Sequence, residues 1–420
     1  MDEMADERPQ DDDRIRVIGY TWSPRSHDVR DFLARTRVPY QWLDFEHNPQ
    51  ARRQAEELGA TAGSGLPLLV FPDGSHVADP DDTALAEKVG LSTQPDLPFY
   101  DLIIVGAGPA GMAAAVYGAS EGLRILLIER EAPGGQAGMS EAIENYLGFP
   151  EGLRGSELAE RAMHQAERFG AEVIVAREVV GLRDDRSNRV VRLDDGTELC
   201  AHAVLLSLGV SWRMLEAPGC DRLIGRGVYY GAAAAAVPTC RQRDVILLGA
   251  GNSAGQAALY LARFARSVTM VAPEADFSER LSEYLLNRIR GTENIHLRTS
   301  SKVVEVEGGD LLEKVTIEHV DTGEREVVET ATLFVYIGAA PRTEWLEGVV
   351  ERDEKGFVLT GADLDGAKWT LDRPRYLLES SIPGVFVAGD VRSGSVKRVG
   401  AAVGEGSMAI QFIHNHLRGR

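Results

Sequence analysis

The sequence predicts an α/β protein: a small α/β unit followed by two nucleotide-binding βαβ domains, the second inserted in the first. Three observations predict it. A strand, a glycine-rich turn, a helix and a second strand follow one another twice, at 100–129 and at 244–271. Ser207-Leu208-Gly209 and Ile337-Gly338 bracket the second copy. A polar, proline-containing stretch, Ser92–Phe99, separates both copies from the N-terminal part and reads as a linker.

Bulk properties set limits. A chain of 420 residues is long enough for about two to four domains. The net charge of −19 argues against nucleic acid or an anionic membrane as partner. No apolar run reaches the roughly 18 residues that a membrane span needs. Residues 1–13 are acidic and are expected to form a disordered tail without a secretory signal. The three cysteines, Cys200, Cys220 and Cys240, form no C-x-x-C and have no zinc-ligand spacing. No metal site is expected, and a cytoplasmic, reducing compartment is.

Residues 14–92 make the small unit. Strands are expected at Arg16–Tyr20, Tyr40–Phe45 and Leu66–Phe71, with helices over Asp28–Thr36 and Ala51–Leu58 and a hairpin turn at Asp73-Gly74. Trp22-Ser23-Pro24-Arg25-Ser26 opens the first helix, and Pro67 precedes a strand. These features resemble the thioredoxin/glutaredoxin fold. The resemblance implies that Pro67 is the family's cis-proline and that Ser23 and Ser26 stand at the positions of Cys-Pro-x-Cys. A serine hydroxyl neither ionises appreciably near neutrality nor forms a disulfide, so the dithiol chemistry of that motif is closed here.

The first nucleotide unit begins with the apolar run Tyr100–Val105 and the turn Gly106-Ala107-Gly108-Pro109-Ala110-Gly111. A glycine fingerprint alone is weak evidence. This one follows a strand, opens a helix and has an acid, Glu129, at the end of the next strand. Gly106 permits the tight turn, Gly108 lets the backbone approach a pyrophosphate, and Gly111 lets helix and strand pack closely. The helix N-terminus at Pro109-Ala110-Gly111 offers unpaired N–H groups to the phosphates, and Glu129 is placed for a ribose hydroxyl.

Further motifs are similar to those of low-molecular-weight thioredoxin reductases. They are Gly134-Gly135-Gln136, Ile143-Glu144-Asn145-Tyr146-Leu147-Gly148-Phe149-Pro150, Val387-Ala388-Gly389-Asp390, and Arg398-Val399-Gly400 in place of R-Q-A. The resemblance runs from Tyr100 to Leu417. It implies non-covalent FAD, two Rossmann-like domains and a homodimer. Gly135, Gln136, Asn145, Gly209, Gly389, Asp390, Arg398 and Val399 would join the fingerprint at the flavin. The FAD domain would comprise 99–213 and 342–420.

The second fingerprint, Gly249-Ala250-Gly251-Asn252-Ser253-Ala254, lies in the inserted domain, 214–341. The resemblance implies NAD(P)H there, with Gly338 nearby. NADPH-dependent relatives carry arginines that clamp the 2′-phosphate. Their positions hold Pro273, Glu274 and Ser278 here. A carboxylate repels a phosphate and accepts a bond from a 2′-hydroxyl, so NADH is favoured over NADPH.

In thioredoxin reductases a C-x-x-C relays electrons from the flavin. Gly231 and Ala234 occupy its positions, and Ala235 replaces the aspartate that follows. The expected activity is therefore NAD(P)H oxidation through FAD, after rotation of the nucleotide domain, with electrons passing directly to an unidentified small-molecule or protein acceptor. Two alternatives stay open: a ferredoxin–NADP reductase of the same fold, and a non-catalytic flavin- or redox-sensing interaction protein. Cys240 follows the segment expected to face the flavin.

Overall fold

The computed structural model describes residues 14–62, 64–140, 143–185, 188–230, 240–365, 369 and 371–419. The chain divides into two compact units: residues up to Asp82 with Met214–Ile337, and Thr83–Arg213 with Gly338–Arg420.

The chain opens with β1 (Ile15–Gly19), α1 (Pro24–Arg35), β2 (Tyr40–Asp44), α2 (Pro49–Glu57), β3 (Leu68–Val70) and β4 (His76–Ala78). The strands form one sheet in the order β2-β1-β3-β4. β1 runs parallel to β2 and antiparallel to β3. The helix starts are chemically specified. Ser23 caps α1 by accepting from the Ser26 amide at 3.4 Å, and Pro24 fills the first helical turn, where no donor is needed. Asn48 Oδ1 caps α2 by accepting from Gln50 and Ala51 at 3.0 and 3.1 Å. The Leu66–Pro67 peptide is cis, as the family resemblance implied. Ile18, Phe45, Ala51, Ala55, Leu68 and Val70 form the core.

The helix α3 (Asp82–Lys88) was not anticipated. From Thr83 onward the chain belongs to the other unit, and Thr83 Oγ1 donates to the Ala176 carbonyl at 2.9 Å. The expected linker is not a loose tether. Thr93 is buried and donates to Glu87, Ser92 accepts from the Val175 amide, and Asp96 donates its amide to Glu172.

In that unit the chain forms β5 (Phe99–Val105), α4 (Pro109–Ser120), β6 (Ile125–Ile128), α5 (Gly135–Gly138), α6 (Gly155–Arg168), β7 (Glu172–Ile174), β8 (Val179–Asp185), β9 (Asn188–Leu193), β10 (Glu198–Leu206) and β11 (Ser211–Trp212). The sheet runs β7-β6-β5-β10-β9-β8, and its parallel centre is a run of buried aliphatics such as Leu102-Ile103-Ile104 and Val204-Leu205-Leu206. Parallel strands need crossovers, and α4 supplies the first.

The inserted portion holds β12 (Val228–Tyr230), β13 (Asp244–Leu248), α7 (Asn252–Leu261), β14 (Ser267–Val271), α8 (Glu283–Arg290), β15 (Ile295–Arg298), the antiparallel β16 (Ser301–Gly308), β17 (Leu312–His319) and β18 (Arg325–Glu329), and β19 (Leu333–Val335). Its parallel sheet runs β12-β19-β13-β14-β15. The chain then returns to the other unit as β20 (Ala339–Ala340), paired with β11, then β21 (Val385–Val387), added to β10, and α9 (Val399–Arg418). Among the described residues no helix is long and apolar enough to cross a membrane.

Candidate cofactor and nucleotide sites

The first fingerprint is held by backbone contacts. Gly106 takes a φ of +102° and donates its amide to Ile128, the last residue of β6, at 2.8 Å. A Cβ on Gly111 would lie 1.9 Å from the Gly106 carbonyl oxygen, and that approach admits only glycine. Gly108 caps α4 without a side chain, and a Cβ built on it would meet no atom within 4 Å. Pro109 and Ala110 follow in the first helical turn. The result is a helix N-terminus with open approach at Gly108, which suits a pyrophosphate.

The neighbouring motifs gather on this turn. Gly134 donates to the Ala107 carbonyl at 2.8 Å, and Gly135 abuts the Gly108 Cα. Gln136 buries its Oε1 without a hydrogen-bond partner. Gly389 lies against Ala110 and Ala402, so the turn after β21 and the first turns of α4 and α9 meet. Arg398 is the exposed N-cap residue of α9, and Val399 is half-buried at its start. Gly209 has a φ of +61° just past β10.

Glu129 closes back on its own turn. Its Oε2 accepts from the Ala107 amide at 2.7 Å and its Oε1 from the Glu131 amide at 3.0 Å. The buried carboxylate therefore braces the fingerprint itself, and these two bonds leave a carboxylate able to accept from a ribose hydroxyl as well. Asn145 is exposed in its loop.

Asp390 is half-buried, and lost hydration raises its carboxyl above the usual range, opposed by the nearby Lys397 ammonium. Lys397 lies 4.1 Å from the centre of the Phe357 ring, and lost hydration lowers its pKa. Sequence reasoning missed Glu405, whose Oε2 accepts from the Gly389 amide at 2.7 Å while Oε1 accepts from Arg392 Nε at 3.2 Å. It sits within α9 with no motif around it; only the contact marks it. Ser207, which donates to the Gly106 carbonyl at 2.9 Å, was missed for the same reason.

The second fingerprint repeats the first closely. Gly249 donates to Val271, the last residue of β14, at 2.8 Å, and a Cβ on it would lie 2.4 Å from the Tyr336 carbonyl. On Gly106 the corresponding distance, to the Ser207 carbonyl, is also 2.4 Å. Gly251 caps α7 and has open space where a Cβ would stand. Asn252 turns its Oδ1 to the Ser282 amide at 2.8 Å, Ser253 is exposed in the first turn, and Ala254 is buried.

The strand ends differ. Ala272, buried, follows β14 where Glu129 follows β6. Glu274 lies two residues on, its Oε1 3.3 Å from Arg280 Nε and its Oε2 buried without a hydrogen bond. Arg280, absent from the sequence argument about cofactor choice, thus stands beside the acid. Gly338 begins the return to the other unit, where its carbonyl accepts from the Arg213 amide at 3.0 Å.

The three cysteines form no disulfide. Cys240 is fully buried in the core with Val245 and Leu247, and Cys220 is buried with its Sγ 3.3 Å from the Tyr230 hydroxyl; burial pushes the Cys220 thiol up. Cys200 is half-buried on β10. Ser26 is buried and Ser23 half-buried. Gly231, Ala234 and Ala235 lie outside the described residues.

Comparison with known proteins agrees with this layout. Residues 100–406 match the family described as pyridine nucleotide-disulphide oxidoreductase. Thioredoxin reductase of Bacillus subtilis is 34% identical over 319 residues, covering 76% of this chain and 95% of its own. An alkyl hydroperoxide reductase protein of Staphylococcus epidermidis is 30% identical over 358 residues, covering 85% of this chain and 67% of its own. The crystal structure of Lactococcus lactis thioredoxin reductase superposes with a TM-score of 0.69 at 31% identity, covering 76% of this chain and 100% of that one. The chain belongs to the pyridine nucleotide-disulphide oxidoreductase family and is a thioredoxin reductase-like, FAD-dependent oxidoreductase.

Proposed function

We propose that this chain oxidises NADH through FAD and hands the electrons directly to an acceptor outside the polypeptide, using no dithiol of its own. The observation that carries the reading is the pairing of two dinucleotide cradles with three cysteines that never occur as C-x-x-C. When bound, FAD supplies the redox chemistry, taking a hydride and releasing electrons. The chain's residues bind and orient. The α4 N-terminus at Gly108–Gly111 would hold the pyrophosphate, Gln136 would offer its unpaired Oε1, Asp390 would accept from the ribityl chain, and Arg398 with the Val399 amide would border the flavin ring. Gly209 and Asn145 complete the wall.

For the nicotinamide nucleotide, the α7 N-terminus at Gly251–Ala254 takes the phosphates. Glu274, with one carboxylate oxygen unpaired, accepts from a ribose 2′-hydroxyl. The proposed domains are a thioredoxin-like unit at 14–92, an FAD domain at 99–213 and 342–420, and an NAD(P) domain at 214–341. A homodimer in the cytoplasm is the proposed working form.

Arg280 beside Glu274 favours one second reading, in which it turns to a 2′-phosphate and NADPH serves a ferredoxin–NADP reductase. Stopped-flow mixing of the FAD-loaded protein with each nucleotide decides. Fast bleaching of the flavin by NADH, with no thioredoxin turnover above background, is the expected result. Bleaching only by NADPH supports the second reading, and inertness to both means a non-catalytic flavoprotein. Robust dithiol-dependent turnover would refute direct transfer.

A further inference from the structure

The motif Trp22-Ser23-Pro24-Arg25-Ser26 has no part in the chemistry above, yet its side chains are engaged. The Trp22 ring stacks on Tyr20, centroids 4.5 Å apart and planes at 24°, and its Nε1 donates to Glu46 at 3.0 Å. The guanidinium of Arg226 lies over the same ring, 5.3 Å from its centre. Pro24 packs on Gly225, which has a φ of +71°. A Cβ there would stand 2.8 Å from Pro24 Cγ and 3.1 Å from Pro24 Cα, so only glycine admits the proline. Arg25 is tied to its own end of the chain, with Nη1 3.0 Å from Asp82 and Nη2 donating to the Pro80 carbonyl.

The turn that receives the motif is built into the nucleotide-binding sheet. Gly225 donates to Val228 at 2.9 Å, Leu333 to Gly227 at 2.7 Å, and Leu312 to Arg226 at 2.8 Å. Arg222 donates to the Gly309 and Gly308 carbonyls at 2.6 and 2.7 Å. From this turn runs β12, only three residues long and at the edge of its sheet; among the described strands it pairs with β19, and Val228 also bridges Ile224. The residue after β12 is Gly231, the first of the two positions where the resemblance places cysteines.

We propose that the serine-substituted motif is a docking surface whose partner is the 224–227 turn of the same chain, and that this grip fixes β12, the strand that precedes Gly231 in the sequence. A short edge strand has ladder bonds on one side only, so its position depends on restraints beyond its sheet. A motif that shuttled electrons would have to leave this seat to meet a partner. Two serines need not, and the contact can stay closed. An external protein binding this face would have to displace Trp22 and Pro24 from Arg226 and Gly225, so the face serves this chain and not an outside partner. The meaning given to position 231 rests on the functional reading above; the contact does not.

Hydrogen–deuterium exchange on the full-length, FAD-loaded protein tests the grip, with Trp22→Ala and Arg226→Ala made singly and together. Each single variant is expected to speed exchange of the 224–230 amides by about tenfold, leave the β13–β15 amides unchanged, and be little worsened by the other. Arg226→Ala leaves every N-terminal side chain in place, so unchanged exchange in β1–β3 separates a lost seat from an unfolded domain. Unchanged exchange at 224–230 in both single variants, or effects that simply add in the double variant, would overturn the proposal. The readout needs no electron transfer, so its failure leaves the functional reading standing, and a failure of that reading leaves this test intact.

Discussion

The two glycine fingerprints are built alike and finished differently. In both, the first glycine donates to the end of the neighbouring strand at 2.8 Å and sits where a Cβ would be 2.4 Å from a crossing carbonyl. Both leave the second glycine open at a helix start. The third position separates them: Gly111 is packed on the Gly106 carbonyl, whereas Ala254 carries a methyl at the matching place. The acids separate them further. Glu129 accepts from the amide of its own turn, while Glu274 keeps one oxygen unpaired. The two turns thus share their backbone and differ in the residues at the strand end, where the proposed function places the choice of nucleotide.

The largest expected effect lies at the third glycine. Gly111→Ala forces a Cβ to within 1.9 Å of a backbone oxygen, which must move. A loss of about 3 kcal/mol and of bound flavin is expected, read by thermal unfolding and by absorbance of the purified protein. Ala254→Gly, the reciprocal change, should cost only about 1 kcal/mol, as a helical alanine-to-glycine change does. Equal effects at the two sites would end the distinction drawn between them.

Glu274→Ala comes next. Loss of a charge-assisted hydrogen bond should raise the KM for NADH about tenfold and narrow the preference over NADPH. Glu274→Gln, which keeps an acceptor without the charge, should retain much of the NADH affinity. An unchanged ratio of the two nucleotides in both variants would remove Glu274 from cofactor choice and leave Arg280 to account for it.

Asp390 gives a pH-dependent test on the flavin side. Its folded-state carboxyl titrates above the ordinary range, so the native protein binds that proton more tightly than the unfolded chain. Stability of flavin-free protein therefore falls as pH rises from the ordinary carboxylate range through the raised native value, and stays lowered above it. Asp390→Asn should remove that slope, making the flavin-free protein at least as stable as wild type near pH 7 while weakening FAD binding at every pH. Thermal midpoints across that range, with and without FAD, check both halves.

The smallest effect is expected from the thiols. With Cys200, Cys220 and Cys240 all replaced by serine or alanine, flavin reduction by NADH should stay within about twofold of wild type, because no pair exists to exchange. A collapse of electron transfer, with flavin content unchanged, would mean that one of these sulfurs takes part.

Much of this was legible in the chain. The βαβ units were, because strand-forming aliphatics, glycines and helix-forming residues follow in an order with few alternative packings. The helix start at Ser23-Pro24 was also legible, and the cis form of Pro67 was implied by the family resemblance. Helix α3 was hidden because its buried residues, Leu85 and Ala86, are too few to show a period. The place of Gly338 and the ties along the linker depend on partners far away in sequence, among them Arg213, Glu172 and Val175.

By itself the sequence determined that two dinucleotide cradles would form and that no C-x-x-C would serve them, because glycine spacing and residue identity are local properties. Only the tertiary structure decided that Glu129 braces its own turn, that Glu405 supports the Gly389 turn, that Arg280 faces Glu274, and that the serine motif rests on Gly225 and Arg226. Those are contacts between side chains brought together by sheet order and helix packing, and a single side chain carries no mark of the partner that the fold will bring to it.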